Sequence, residues 1–242
     1  MTSPLQLYFG ERQALAVRVT QSSELPAALG TLGLSTPRAT VVLVGGAGGL
    51  DDAGMARLKP LFTAALVPVL DKNGAVAIDG GTYSGVMRLL GQARQAQAGR
   101  FPLIGVVAAG TVRLPGEPAS AGVDTELDPH HTHFVIVPGD DWGDESPWIA
   151  QTATVLAGGA PSITVLVNGG QIAYSDVERS VQAGRAVVVI AGSGRTADAL
   201  ADALAGSGAD DRASALAATG LIRAVPLEDP HALAGVLAAA LG

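Results

Sequence analysis

The stretch "VVLVGGAGGLDDAG", Val41 to Gly54, decides the fold. An apolar run passes without alternation into two glycine pairs split by Ala47, and then into Asp51 and Asp52. Such a run is how a strand buried on both faces of a parallel sheet reads. The two aspartates suit a helix start, as capping and first-turn residues. Strand, glycine turn and helix in that order make half of a βαβ unit. Glycine reaches positive φ without steric cost and lets another group come close to the backbone.

The same alternation recurs outward from this stretch. "AVAIDGG" is a strand, and Ser84 to Gln97 a helix with Val86, Leu89, Leu90 and Ala93 facing inward. "PLIGVVAAG" is a strand, and Thr111 to His130 is irregular before strand "HFVIV". Helix "SPWIAQTATVLAG" leads to strand "SITVLVNGG", and helix "QIAYSDVERSVQAG" to strand "AVVVIAGSG". Helical segments at Ala197–Leu204 and Ala213–Ala218, strand "LIRAV" and a helix to Leu241 close the chain. Upstream, one helix is expected from Asp51 to about Leu70. "LQLYF" and "LAVRVT" read as two strands around a turn at Gly10–Arg12, and "SSELPAALGTLGL" as a short helix capped by Ser22 or Ser23. The expectation is an α/β, Rossmann-like, doubly wound and mostly parallel sheet with helices on both faces. No linker divides the chain. Residues 1–242 are expected to form one domain, with 1–38 giving N-terminal strands and a short helix and 39–242 the Rossmann-like core.

Composition narrows the function. The 242 residues are 48% hydrophobic and carry a formal net charge of −7, which disfavours nucleic-acid binding through a basic face. There is no cysteine, so disulfides and thiolate metal sites are excluded. The N-terminus lacks the pattern of a signal peptide. Apolar runs such as Ala186–Ala191 fall far short of the ~20 residues of a membrane span. A cytoplasmic protein is expected.

In a parallel sheet all strand-to-helix turns share one edge, and here the turns at Gly45–Gly49, Gly80–Gly81–Thr82, Gly169–Gly170 and Gly192–Ser193–Gly194 carry glycine. A tight turn alone accounts for any one of them. Together with the helix N-termini behind them, they point to an anionic, phosphate-bearing ligand at the carboxyl edge. No P-loop occurs, and no G-x-G-x-x-G fits cleanly. Arg195 stands at a helix N-terminus, where the dipole disfavours a cation unless an anion is near; reaching solvent or Asp198 is the plainer alternative. Asp51 and Asp52 would repel a phosphate, so the charged part of a ligand is expected to lean on the later turns.

The segments "DGGTYSGVMRLLG" and "LDPHHTHFVIV" resemble the N-terminal homology region of the melastatin-type TRP channels, and in particular its free-standing prokaryotic relatives, the LSDAT domains of the SLOG group. Val44–Gly46, Gly80–Gly81–Thr82 with Gly85–Val86–Met87, Pro102–Gly105, Leu127–Asp128–Pro129, His131–Phe134 and Gly192–Arg195 occur in the family's order. The resemblance implies a Rossmann-like fold and a pocket for a nucleotide-derived ligand, ADP-ribose or NAD or similar, in a homo-oligomer. By carry-over Gly45, Gly46, Gly80, Gly81, Thr82, Gly169, Gly170, Ser193, Gly194 and Arg195 line it, with Gly85 and Gly192 in the same motifs. The related LOG phosphoribohydrolases carry G-G-x-G-T-x-x-E. Here Gly169–Gly170 keep the glycine pair, Ile172–Ala173 replace Gly-Thr, and Asp176 stands for the glutamate. LOG catalysis is therefore not inferred, and no catalytic residue is assigned. A nucleotide hydrolase acting on an N-glycosidic or phosphate ester bond, with Asp176 or a histidine as acid/base, is the alternative to a ligand sensor.

Three side-chain groups remain. His130, His131 and His133 match no metal-site spacing, so no metal is assigned; His131 and His133 would share a strand face, and His133 is a candidate ligand contact at the sheet edge. Trp142, within "GDDWGDES", is expected to pack against the domain rather than stack on a base, with Asp144 or Ser146 capping the next helix. Tyr83 is a second candidate stacking ring.

Overall fold

The computed structural model describes residues 4–46, 48, 51–117, 125–208 and 210–242. Nine strands form one sheet in the order β1-β2-β6-β5-β4-β3-β7-β8-β9. They are β1 (Leu5–Phe9), β2 (Arg12–Arg18), β3 (Thr40–Gly45), β4 (Val76–Asp79), β5 (Leu103–Ala108), β6 (His133–Val137), β7 (Ser162–Val167), β8 (Ala186–Ala191) and β9 (Ile222–Pro226). Only β1 and β2 pair antiparallel; every other neighbouring pair is parallel. The fold is the expected Rossmann-like α/β sheet. Through β2 and β6 the N-terminal hairpin extends the same sheet.

Strand β3 shows why the central strands are apolar throughout. Val41 and Leu43 enter the core on one face, and Val42 and Val44 enter the core on the other. On the first face lie α2 (Asp52–Pro60), α3 (Val67–Lys72), α4 (Gly85–Ala96) and α9 (Pro230–Leu241). On the second lie α1 (Leu25–Thr31), α5 (Ser146–Ala157), α6 (Gln171–Gln182), α7 (Arg195–Leu204) and α8 (Asp211–Ala217). A third apolar cluster, with Phe134 at its centre, lies under Val112, Leu114 and Leu127 of the long irregular segment. Residues 118–124 of that segment lie outside the described residues.

Strand order reverses at β3. The chain runs from β3 through β4 and β5 to β6, then crosses back to place β7 on the other side of β3. The crevice between the carboxyl ends of β3 and β7 is therefore the topological switch point, where ligands of open α/β sheets bind.

Local details differ from expectation. The helix expected at Asp51–Leu70 runs from Asp52 to Lys72 and contains a π-helical turn at Leu61–Leu66, between Pro60 and Pro68. Each proline lacks an N–H, so the regular ladder is interrupted there. This path has the length and apolar character of a membrane span, but Leu58, Leu61, Phe62, Leu66 and Leu70 are buried in the sheet's core. Neither Ser22 nor Ser23 caps α1; Glu24 instead accepts hydrogen bonds from the Thr20 and Gln21 amides, at 2.6 and 3.1 Å. Asp51 does cap α2, accepting from the Gly54 amide at 2.8 Å.

Candidate functional site

A cavity of about 650 Å³ opens at the switch point. Leu43 to Gly45 of β3 and Gly46 of the turn after it, Gly80, Thr82 and Ser84 of the β4–α4 turn, Gly170 and the first turns of α6, and Arg195 of α7 line it. Ile149 of α5 and Glu145 just before that helix close it, and Trp142 borders it from the β6–α5 turn. Turns after β3, β4, β7 and β8 thus meet in one cavity, each contributing at least one residue. Ala47 and Gly49 of the first turn lie outside the described residues.

Asn168 ties the later turns together. It is buried and takes φ +59°, a left-handed conformation uncommon outside glycine. Its backbone amide donates to Ser193 Oγ at 2.8 Å, and its Nδ2 donates to the Ser193 carbonyl at 2.7 Å. Its own carbonyl accepts the Ala197 amide at 2.9 Å. The β7 and β8 turns are held as one unit. Arg195 follows this unit with φ +53°. A non-glycine residue held there stores strain of about 1–3 kcal/mol. Its guanidinium lies over Gly170, where a Cβ would come within 2.7 Å of Nη2. Among the described residues it makes no ion pair, and its one hydrogen bond is a 3.4 Å contact to the Gly48 carbonyl. Asp198 is occupied elsewhere, accepting from the Gly192 amide at 2.7 Å.

Acidic side chains also line the cavity. Burial pushes the Asp176 carboxyl up to about 6; the nearby Ser146 hydroxyl opposes the rise and the Glu145 charge adds to it. Asp176 Oδ1 and Ser146 Oγ are both shielded from solvent and lack a hydrogen-bond partner. Glu145 is raised as well, first by burial. The site therefore combines one cation with two carboxyls held toward their protonated forms.

A buried charged cluster fastens the β4–α4 turn. His131 Nε2 lies 2.7 Å from Asp79 Oδ1, and its Nδ1 lies 3.5 Å from Asp128 Oδ2, with all three side chains inaccessible to solvent. Burial opposes protonation of His131, but Asp79 and Asp128 outweigh it and hold the imidazole up at about 9. Asp79 also accepts the Gly81 amide at 2.7 Å. The Asp128 amide donates to the Gly81 carbonyl at 2.9 Å, and the Tyr83 amide to the Glu126 carbonyl at 2.9 Å. The cluster joins the turn carrying Thr82 to the segment carrying Thr125, and both residues border the cavity.

Of the residues singled out in the sequence, Gly45, Gly46, Gly80, Thr82, Gly170, Asp176 and Arg195 border the cavity. Gly81, Gly85, Gly169, Gly192 and Gly194 take positive φ and shape the turns behind it. Gly81 also permits a close backbone approach, since a Cβ there would lie 2.8 Å from Gly105 Cα. Ser193 is buried and engaged with Asn168, and its Oγ donates to the Ile190 carbonyl at 2.6 Å. Tyr83 turns to a second cavity of about 490 Å³ beside Phe9 and Arg113, and stacks on His130 at 6.2 Å between ring centres. His133 begins β6, so it stands at the amino edge of the sheet, opposite the cavity. Burial, with Arg94 and Arg38 nearby, lowers it to about 4. His131 precedes the strand and does not share a face with His133 along it. Among the described residues no group of three or more His, Asp or Glu side chains is placed to hold a metal ion.

Two expectations in the β6–α5 turn are corrected. Trp142 does not pack into the domain: it is 49% exposed and borders the cavity. Neither Asp144 nor Ser146 caps α5. Asp144 Oδ2 accepts the Asp140 and Asp141 amides, both at 3.1 Å, and so closes the turn instead. Sequence reasoning missed Glu145, Ile149, Gln171 and Ile172, because the first turn after a strand carries no pattern separating a ligand wall from ordinary helix surface. Asn168 did carry a signal: an asparagine at a strand end before two glycines is a residue type that tolerates positive φ.

Comparison with known proteins agrees with this geometry. The family model described as "SLOG in TRPM, prokaryote" matches residues 38–234. Mouse transient receptor potential cation channel subfamily M member 2 is 30% identical over 206 residues, covering 70% of this chain and 13% of the channel. The rat protein of that name is 29% identical over 210 residues, covering 72% and 14%. The member-like 2 protein of Nematostella vectensis is 25% identical over 231 residues, covering 78% and 15%. The chain thus spans about one-seventh of these relatives. Among solved structures, the structural-genomics X-ray structure of TM1055 aligns with a TM-score of 0.51 at 19% identity, over 78% of this chain and 91% of that one, which shows a shared fold. A doubly wound sheet, a cavity at its switch point and a family match over most of the length lead to one assignment: the chain belongs to the prokaryotic SLOG family related to the N-terminal region of the TRPM channels.

Proposed function

We propose that the cavity binds a nucleotide-derived ligand of the ADP-ribose or NAD type and that the protein is a sensor for it. The observation that carries this reading is Arg195. It is a cation without an ion-pair partner among the described residues, held in a strained conformation at a helix N-terminus beside the glycine turns. A phosphate or pyrophosphate there would neutralise the guanidinium and accept hydrogen bonds from the turn amides. A cavity of about 650 Å³ is of the size that encloses a nucleotide. The proposed setting is cytoplasmic, as a homo-oligomer, with a small-molecule nucleotide and not nucleic acid as the partner.

One observation favours a second reading. Asp176 is held up at about 6 with an unpartnered oxygen, the state of a general acid near neutral pH, so the alternative is hydrolysis of a glycosidic or phosphate ester bond. One experiment separates the two: thermal unfolding with ADP-ribose, NAD and AMP, each sample then analysed by chromatography for breakdown. Ligand at a hundred times its Kd adds about 2.7 kcal/mol to stability. A shift with intact ligand, lost in Arg195→Ala, supports the sensor. A shift with consumed ligand, and turnover abolished in Asp176→Asn, supports the hydrolase. No shift with any nucleotide removes both.

A further inference from the structure

We infer that His131 is a positioning residue for the ligand cavity: as the charged link between two buried carboxylates it holds the wall built from residues 80–82 and 125–128, and ligand affinity depends on the proton it carries. This rests on the nucleotide reading of the cavity and adds how binding there is controlled.

Both ring nitrogens of His131 face a carboxylate. Nε2 lies 2.7 Å from Asp79 Oδ1, and Nδ1 lies 3.5 Å from Asp128 Oδ2. A neutral imidazole has one N–H and one lone pair. It would turn the lone pair toward one of two carboxylates that are both shut off from solvent. With both nitrogens protonated, each carboxylate faces positive charge. Burial works against that charge, but Asp79 and Asp128 outweigh it and keep the imidazole protonated up to about 9. Other charged groups stand around the cluster. His130 Nδ1 lies 2.5 Å from Asp128 Oδ1, and Arg12 and Arg94 border the same surface hollow as His130 and His131. From α4, Arg88 lies over the Tyr83 ring and Gly91 packs on Asp128. Strand β6 contributes Phe134, whose ring stacks on the imidazole at 5.4 Å between centres.

The two carboxylates reach the cavity through Gly81. Asp79 Oδ1 accepts the Gly81 amide at 2.7 Å, and the Gly81 carbonyl accepts the Asp128 amide at 2.9 Å. Gly81 is thus gripped on both sides at φ +64°. The next residue, Thr82, forms an antiparallel bridge with Leu127, and the Tyr83 amide donates to the Glu126 carbonyl at 2.9 Å. Gly80, Thr82 and Thr125 of these two segments border the cavity. Loss of the proton leaves two buried carboxylates facing a neutral ring, and a buried charge without its counter-charge is costly. The segments that carry Asp79 and Asp128 are the ones that would move apart. A ligand that needs this wall selects the protonated form, and its apparent affinity falls with the fraction of protein still protonated.

The test is calorimetry with ADP-ribose at pH 7.5, 8.5 and 9.5, with circular dichroism confirming the native fold at each pH. Asp176, raised to about 6, is ionised across this range. The Kd of the parent protein is expected to rise by about 2- to 10-fold between pH 7.5 and 9.5. At pH 9, titrations in two buffers of different ionisation enthalpy should show uptake of a fraction of a proton on binding. His131→Gln is neutral throughout, so it is expected to bind more weakly at pH 7.5, with no further change to pH 9.5 and no proton uptake. Asp79→Asn keeps an acceptor for the Gly81 amide but removes one charge, so its loss of affinity is expected about 1–3 pH units lower than in the parent; it carries the test if His131→Gln does not fold. A parent Kd that is flat from pH 7.5 to 9.5, or a variant that keeps the parent's pH dependence, overturns the inference and leaves the cavity reading intact. Failure of ADP-ribose to bind the parent at pH 7.5 overturns the cavity reading and the inference with it.

Discussion

Replacing Asp176 by asparagine is expected to make the protein more stable at neutral pH. The carboxyl rises from 3.8 to about 6 on folding, chiefly through burial. Between those values the folded state holds a proton that the unfolded chain has released, so stability falls as pH rises through the window. The full rise corresponds to about 3 kcal/mol above pH 7. Because the residue borders a cavity that admits water, about 1–3 kcal/mol is the expected range. An asparagine side chain cannot ionise, and it keeps the size of the carboxylate it replaces. Urea unfolding of Asp176→Asn and the parent at pH 7.5 should therefore show the variant more stable by that amount, or by about 2–10 °C in Tm. At pH 4.5 about a third of the gain should remain, since little of the window has then been crossed. A variant no more stable than the parent at pH 7.5, or a gain independent of pH, would show that the buried charge does not destabilise the fold. A gain of this size would mark Asp176 as a residue that costs stability in the cavity wall, the trade-off expected of a group with a role there.

Two histidines give opposite limbs of the pH profile. His131, raised to about 9, contributes stability that is complete below its unfolded value of about 6.5 and lost as pH rises to about 9, so unfolding free energy should drop by up to about 3 kcal/mol over that range. His131→Gln should flatten this limb and lower stability at pH 6, as read by urea melts across pH 6 to 10. His133, lowered to about 4, is neutral when folded, so stability should fall as pH drops from about 6.5 towards 4, and His133→Asn should reduce that loss. A pair of glycine variants separates packing from ligand space. A Cβ on Gly45 would come within 2.5 Å of the Val167 carbonyl and 2.6 Å of Val86 Cγ2, so Gly45→Ala should cost about 1–3 kcal/mol in urea melts. A Cβ on Gly80 meets nothing within 4 Å yet enters the cavity wall, so Gly80→Ala should leave stability within about 0.5 kcal/mol while weakening ADP-ribose in calorimetry.

The sheet was legible because each central strand repeats one signal, an apolar run ending at a turn residue, and β3, β5, β7 and β8 all carry it. Glycine turns were legible as a set, since parallel strands bring every such turn to one edge. Their division of labour was not. Gly80 faces the cavity while its neighbour Gly81 packs on Gly105, and a glycine carries no side-chain chemistry to tell the two roles apart. His133 was misplaced for a different reason. Its strand was read correctly, but the first residue of a parallel strand is at the amino edge, and the position within the strand outweighs the polarity of the residue. Glu145 and Trp142 reach the cavity because α5 returns across the sheet to pack on β3 and α6, a consequence of the crossover that no local pattern encodes.

Two of the three non-glycine residues with positive φ among the described residues, and three of the nine buried side-chain atoms without a partner, belong to Asn168, Arg195, Asp176 and Ser146 around the cavity. Asn168 and Arg195 hold positive φ on the turns after β7 and β8, and Asn168 Oδ1 and Asp176 Oδ1 are buried without partners. Each feature is unfavourable on its own, by about 1–3 kcal/mol for the backbone strain and a similar amount for a buried orphaned acceptor. A sheet that needed only to fold could relieve the strain at 195 with a glycine and the orphaned acceptor at 176 with an apolar residue. The parallel core around them shows no such cost: Val188, Val189 and Ile190 of β8 are fully buried in the apolar layers on either side. The central strands thus satisfy local and global preferences together, while the turns after β7 and β8 depart from them beside the cavity. The proposed ligand would relieve the violations that border this cavity, by giving Arg195 an anion and Asn168 Oδ1 and Asp176 Oδ1 hydrogen-bond donors.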